Sequence, residues 1–179
     1  YNYLEIKEQL LQKNYKFYSN TDTEVILNAF KEWKIKCFEK FNGDWVVAIL
    51  DKKTNELLIA RDGIGCKPCY LYEDNHTFAF SSEIKGLFAG GIIPTVNESI
   101  VYDFLARDIY EHSTQTFFED IYVLPPGHWM VVTDGSTSLN DIATTSGDYV
   151  IESAIVVDGH GEVVETHQTT EIVSFELSA

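Results

Sequence analysis

Beyond Arg107 the sequence contains no lysine and no arginine. Across its 179 residues it carries 13 basic residues against 28 acidic ones, a formal net charge of −15. Nucleic acids and anionic membranes are held through clustered Lys and Arg, so neither is an expected partner. Long apolar runs are missing as well. No stretch approaches the roughly 20 apolar residues of a membrane-spanning helix. No basic n-region followed by an apolar h-region stands near Tyr1, and the expected location is the cytoplasm. Cysteine is scarce, three in all, and an odd number does not suit the disulfide framework of a small secreted domain. What the sequence does have is 45% apolar and 13% aromatic residues, enough to bury a sizeable core.

From about Thr133 the texture changes. Thr, Ser, Val, Asp and Glu dominate, and the aromatics there are Tyr149 and Phe175 alone. Residues 1–132 read as a dense globular segment and residues 133–179 as an acidic, strand-prone tail. In the first segment, Asn2 with Glu5 and Thr21 with Glu24 have the spacing of capping boxes. Val25, Ile26, Ala29, Phe30 and Trp33 follow the second at helical spacing. A short helical stretch runs on to Phe41, and Asn42-Gly43 turns the chain. Trp45–Leu50 and Leu57–Ala60 read as strands, and Cys69–Tyr72 with Thr77–Phe80 as a hairpin. Ser82 is expected to cap a helix over 83–88 that Gly90-Gly91 ends. Asn97 is expected to cap another, with Ile100, Val101, Phe104 and Leu105 on its buried face. Phe118–Leu124 and Trp129–Val132 are further strands, joined by Pro125-Pro126-Gly127-His128. Runs of helix followed by runs of strand predict an α+β layered domain. In the tail, Tyr149–Ile151, Ile155–Val157, Glu162–Glu165 and Ile172–Phe175 are strand-like.

The stretch ARDGIGCKPCYLY, residues 60–72, offers three kinds of chemistry. Cys66 and Cys69 form a C-x-x-C. A structural zinc site needs two more ligands at suitable spacing, and Cys37 and the histidines do not supply them. A redox dithiol sits where a helix begins, whose dipole lowers the thiol pKa, whereas Tyr70-Leu71-Tyr72 reads as a strand. Inert, half-buried cysteines are the expectation. Gly63 and Gly65 lack the Lys-Ser/Thr and the helix of a phosphate loop, and read as a tight connection between strands. His160 belongs to a hairpin turn, Asp158-Gly159-His160-Gly161. With His167 and the carboxylates around it, it offers at most weak, unspecific divalent binding. Asp22, in the first turn of its helix, complements the helix dipole. A carboxylate there could also receive the ammonium group of an amino acid, although nothing in the local pattern selects that role.

Six stretches in order carry a resemblance. Tyr1-Asn2 resembles the end of N-G-E-I-Y-N, and Asp22–Ile26 resembles [ST]-D-[TC]-E-V-I. Phe41-Asn42-Gly43 with Val46–Asp51 resembles F-N-G-x-F-A-F-A-I-x-D. Arg61-Asp62, Gly65, Lys67-Pro68 and Tyr70 resemble R-D-x-x-G-x-K-P-L-Y. Ser82–Leu87 resembles S-E-I-K-A-L. Phe118–Ile121 with Leu124–His128 resembles the stretch that closes the same domain. Together residues 1–128 resemble the glutaminase domain of asparagine synthetase, a class II glutamine amidotransferase of the N-terminal-nucleophile hydrolase fold.

The resemblance implies an α/β/β/α layered sandwich, incomplete here, with a β-prone acidic tail. It implies a domain that hydrolyses glutamine and supplies ammonia for ATP-dependent amidation of aspartate. Glutamine is the implied ligand, and the implied partner is a synthetase domain that would bring ATP and Mg. This chain is expected to hold no cofactor of its own. Of the glutamine-contacting residues, the aspartate alone maps here, to Asp22, which would hold the substrate α-amino group. The nucleophile of the family is an N-terminal cysteine. Cys37, Cys66 and Cys69 are internal and none matches it, so no catalytic residue is assigned and the residues given are expected to be inactive. The alternative is a non-catalytic binding or regulatory module that keeps the fold. The tail matches no part of the family. It could be a neighbouring segment, a divergent linker, or strands that cover sheet edges otherwise left open.

Overall fold

The structure, a computed structural model, describes residues 1–110, 112–133, 136–141, 150–157, 163–167 and 173–176. In chain order the helices and first strands are α1 (Tyr3–Gln12), α2 (Asp22–Trp33), a 3-10 helix (Lys34–Lys40), β1 (Asp44–Asp51), β2 (Glu56–Arg61), β3 (Tyr70–Glu73) and β4 (Thr77–Ser81). Then come α3 (Ile84–Ala89), α4 (Glu98–Arg107), β5 (Ile121–Val123) and β6 (His128–Thr133). β7 (Ser136–Asp141), β8 (Val150–Val157), β9 (Val163–His167) and β10 (Val173–Glu176) follow. As far as Thr133 this is the order the sequence predicts, and the class is α+β. Among the described residues no helix is long and apolar enough to cross a membrane.

The chain divides into two compact units. The first comprises Tyr1–Lys67 and Pro126–Thr169, with a sheet in the order β7-β6-β2-β1-β8-β9. Its pairings are antiparallel except that of β1 with β8. Residues two apart on a strand share a face, so Trp45, Val47 and Ile49 point together. They pack with Leu58 and Ala60 of β2 and with Ile6, Leu10, Val25, Ile26 and Ala29 of α1 and α2. Ala48, Leu57, Ile59, Met130 and Val132 are buried as well. Burial on both faces explains why WVVAIL is a continuous apolar run instead of an alternating one. The Phe38 ring stacks on Trp45 at 5.4 Å, and Phe41 meets both edge-on at 5.7 Å. Each such pair contributes about 0.5–1.5 kcal/mol beyond its buried area.

The helix starts differ from expectation in instructive ways. Asn2 sits at the N-cap of α1 but makes no cap hydrogen bond. Its side chain reaches across the chain instead, donating to the Lys40 carbonyl (2.8 Å) and accepting from the Asn42 N–H (2.9 Å). Thr21 does cap α2, accepting from the Glu24 N–H at 3.4 Å. Glu24, however, turns to the preceding loop and accepts from the Tyr18 N–H (2.9 Å), the Ser19 N–H (2.8 Å) and the Ser19 hydroxyl (2.7 Å). Burial pushes the Glu24 carboxyl up, but these hydrogen bonds and the Lys7 charge outweigh it and hold the pKa below its ordinary 4.5. A depressed folded-state pKa contributes stability that is present above pH 4.5 and is lost as pH falls through the folded value. Glu24→Gln is therefore expected to flatten the acid limb of a pH–stability curve below 4.5 and to lower the melting temperature slightly near neutral pH. An unchanged acid limb would contradict this.

The second unit comprises Pro68–Pro125 and Thr170–Ala179, with strand order β10-β4-β3-β5, all antiparallel. The β3–β4 hairpin turns on Asp74, which accepts from the His76 and Thr77 N–H groups at 2.8 and 2.7 Å. The Tyr72 hydroxyl donates to the other Asp74 oxygen at 2.7 Å, which with burial pushes the Tyr72 pKa up to about 12. Ser81, not Ser82, supports the start of α3 by accepting from the Glu83 N–H at 3.3 Å. Asn97 caps α4 as expected, accepting from the Ile100 N–H at 3.3 Å. The expected buried face of α4 is not realised. Ile100 is buried, but Phe104 is 40% and Leu105 76% exposed. Phe104 meets Tyr110 and Phe117 edge-on in a surface aromatic cluster, at 6.1 and 5.5 Å, instead of entering the core.

In the tail, Ile151 and Ile155–Val157 belong to one strand, β8. β8 pairs antiparallel with β9, so the expected hairpin is present. Its turn, with His160, lies outside the described residues, as do Tyr149, Glu162 and Ile172, while His167 ends β9. β7 was not expected. Its sequence STSLND has one apolar residue and no alternation to reveal it.

Candidate functional site

The Arg61–Pro68 segment is built around a buried carboxylate. Asp62 is 1% exposed. Its Oδ1 accepts from the N–H groups of Ile64 (3.0 Å), Gly65 (2.6 Å) and Cys66 (3.2 Å). Its Oδ2 accepts from those of Trp45 (3.2 Å) and Lys67 (3.3 Å). The Asp62 carbonyl accepts from Gly127, at 2.8 Å, within the Pro-Pro-Gly-His connection. Arg61 closes the loop from the other side, donating Nε to the Lys67 carbonyl and Nη2 to the Gly65 carbonyl, each at 2.6 Å. The Arg-Asp pair thus acts as a lock on the backbone. Gly65 has φ +73°, and a Cβ there would lie 2.6 Å from Pro126 Cγ and 3.1 Å from Arg61 Nη2. Gly63 does not share that conformation. Gly65→Ala is expected to cost roughly 1–3 kcal/mol from backbone strain and crowding. Gly63→Ala is the control, and equal melting temperatures for the two variants would refute the assignment.

None of the three thiols is half-buried, although the sequence suggests this for them. Cys66 is exposed, and Cys37 and Cys69 are buried. Burial pushes the Cys37 thiol far above its ordinary pKa. Strand β3, not a helix, follows Cys69, so the helix start at which a redox dithiol sits is not found there. Among the described residues no three His, Cys, Asp or Glu side chains are grouped to hold a metal.

Asp22 is the first residue of α2, half-buried, with Oδ1 accepting from the Thr23 N–H at 2.8 Å. The α-ammonium of Tyr1 lies in its field and in that of Asp44. Burial pulls that ammonium below its ordinary pKa, and the two carboxylates act against the pull. Asp44 was not singled out from the sequence. Its signal was its place at the variable position after Phe41-Asn42-Gly43, ahead of a strand. Asn2 ties the first residues to the same turn through Lys40 and Asn42. Among the described residues, Asn42 Oδ1 and Trp45 Nε1 are buried polar atoms with no hydrogen-bond partner. Groups of that kind call for an explanation, a missing polar partner among them.

By class, the α+β layout of residues 1–142 is that of a glutamine amidotransferase domain, whose family model matches those residues. The chain belongs to this family. It is 45% identical over 89 residues to a Methanocaldococcus jannaschii protein assigned as a glutamine-hydrolysing asparagine synthetase, covering 50% of this chain and 17% of that protein. It is 36% identical over 89 residues to glutamine-hydrolysing asparagine synthetase 3 of Bacillus subtilis, covering 50% and 14%. With asparagine synthetase 2 of the same organism it shares 32% over 137 residues, covering 74% and 18%. The chain spans less than a fifth of the length of each of these relatives.

Proposed function

We propose that these residues are the glutaminase portion of a longer, cytoplasmic, glutamine-dependent asparagine synthetase. The observation that carries this reading is the match of residues 1–142 to the glutamine amidotransferase family, with Asp22 as the first residue of α2. Asp22 would receive the α-amino group of glutamine there. In the proposed reaction a thiolate attacks the side-chain amide, ammonia leaves, and water releases glutamate from the thioester. An oxyanion hole would stabilise the tetrahedral intermediate. In this reading the thiolate would come from a cysteine outside these residues, which is supported by the burial of Cys37 and Cys69 and by the place of Cys66 in the loop held by Asp62. The layered α/β/β/α sandwich is the architecture this reading entails. ATP and Mg would act in a partner synthetase domain, where the released ammonia amidates aspartate.

Residues 1–179 alone are expected to release no ammonia from glutamine above background in a coupled glutamate dehydrogenase assay. Turnover abolished by Asp22→Ala would overturn that expectation. Reading the coding DNA through both ends of the chain tests the larger proposal. An in-frame Met-Cys start with Asn-Gly-Glu just before Tyr1, and Ser-Gly-Gly-x-Asp-Ser downstream, is the expected result. A natural start near Tyr1 and a stop after Ala179 would replace the enzyme reading with that of a non-catalytic amino-acid-binding module.

A further inference from the structure

β1 lies between two neighbours drawn from distant parts of the chain. β2 pairs with it antiparallel on one edge. β8 pairs with it parallel on the other, from Asp44 opposite Val150 to Asp51 opposite Val157. Sheet edges that meet solvent are blunted by charge, proline, bulges or shortness, because an open row of N–H and C=O groups templates pairing with another chain. β1 has none of these devices between its ends. Residues 45–50, WVVAIL, hold no charged residue, no proline and no glycine. The devices stand one layer further out. β9 covers β8, the β8–β9 register shifts between Val156 and Val157, and β9 carries Glu165. A bulge and a charged outer strand are what a solvent edge needs, and β1 has the composition of an interior strand.

We propose that residues 150–157 are the in-chain occupant of a strand-accepting edge on β1, and that they keep this edge from pairing with a second copy of the chain. The tail thereby acquires a role that does not depend on glutamine turnover. β10 does the same on a smaller scale at β4, matching four residues from Val173 opposite Phe80 to Glu176 opposite Thr77.

Two variants of the full chain test this, both in a Cys66→Ser background that removes the exposed thiol. Ala48 and Ala154 are register partners, so Ala48→Cys with Ala154→Cys places two thiols across the β1–β8 pair. Ala154→Pro removes a backbone N–H from the middle of β8. Oxidation is expected to join positions 48 and 154 within one chain, identified by peptide mass spectrometry on the monomer. Ala154→Pro is expected to raise self-association at least tenfold in sedimentation at equal concentration. A 48–154 disulfide found only between two chains would make a second copy the occupant and overturn the proposal. No disulfide, or an Ala154→Pro protein as monomeric as its parent, would overturn it too. Should Ala154→Pro fail to fold, the cysteine pair decides alone. In mild urea the oxidised form is expected to self-associate at least tenfold less than the reduced form, and equal association would refute the proposal.

Discussion

Asp62→Ala is expected to lower unfolding free energy by roughly 3–5 kcal/mol, the range for breaking a buried, fully hydrogen-bonded charge. In a chain of this size that is a fall of about 10 °C in melting temperature. Five N–H groups lose the carboxylate at once, although the Gly65 N–H keeps the Asp62 carbonyl at 3.2 Å. Those of Ile64 and Cys66 belong to exposed residues and can turn to water, so they contribute little to the loss. The Trp45 N–H is buried at the start of β1 and cannot. Asp62→Asn keeps one oxygen for the three donors at Oδ1 but turns an amide N–H₂ toward Trp45 and Lys67, so about half of the loss is expected. The effect should also reach the candidate site, because the Asp62 N–H donates to the Trp45 carbonyl at 2.8 Å and Asp44 is the residue before Trp45. Urea denaturation of both variants checks the order. If Asp62→Ala costs less than about 1 kcal/mol, the net worth of an ordinary hydrogen bond, the loop does not depend on its carboxylate.

That lock shows where sequence reading reaches and where it stops. The Arg61-Asp62 stretch was visible as a motif, and Gly65 as a residue fit for positive φ. Their joint purpose was not, because it depends on Trp45 and Gly127, which lie on other strands or connections. The same limit separates the two helix starts. Thr21 bonds a group three residues away, which local spacing fixes, and it behaves as read. Asn2 has the right spacing as well, yet it is taken by Lys40 and Asn42, about forty residues on. Short apolar runs such as WVVAIL announce a strand but not its partners. The parallel pairing of β1 with residues 150–157 joins segments about a hundred positions apart, and no local pattern encodes it. α4 fails for a related reason. Periodicity names an apolar face, but whether another element covers it is a tertiary fact, and Leu105 stays exposed.

The candidate site divides along the same line, and its main prediction follows from the division. Asp22 was readable because it opens a helix inside a motif, whereas Asp44, at the variable position that starts β1, carries no such local signal. If Asp22 holds the α-amino group of glutamine, Asp22→Asn should raise KM for glutamine about 10–100-fold in the longer enzyme. A charge-assisted hydrogen bond contributes about 1.5–3 kcal/mol and each 1.4 kcal/mol is tenfold. The effect should fall on KM more than on kcat, because the α-amino group is remote from the amide that reacts. Stability should change little. The Asn carbonyl can still accept from the Thr23 N–H, and what is lost is a charge at a helix N-terminus, about 0.3–1 kcal/mol. Asp44, at the start of β1, is the second position to test: if it faces the same α-amino group, Asp44→Asn should raise KM as well, and the double variant should cost less than the product of the two. Three outcomes are therefore distinguishable. A raised KM with an unchanged melting temperature supports the substrate role. A lowered melting temperature with an unchanged KM leaves Asp22 as a helix-start residue alone. A KM within twofold of the parent in both single variants removes the pair from the glutamine site.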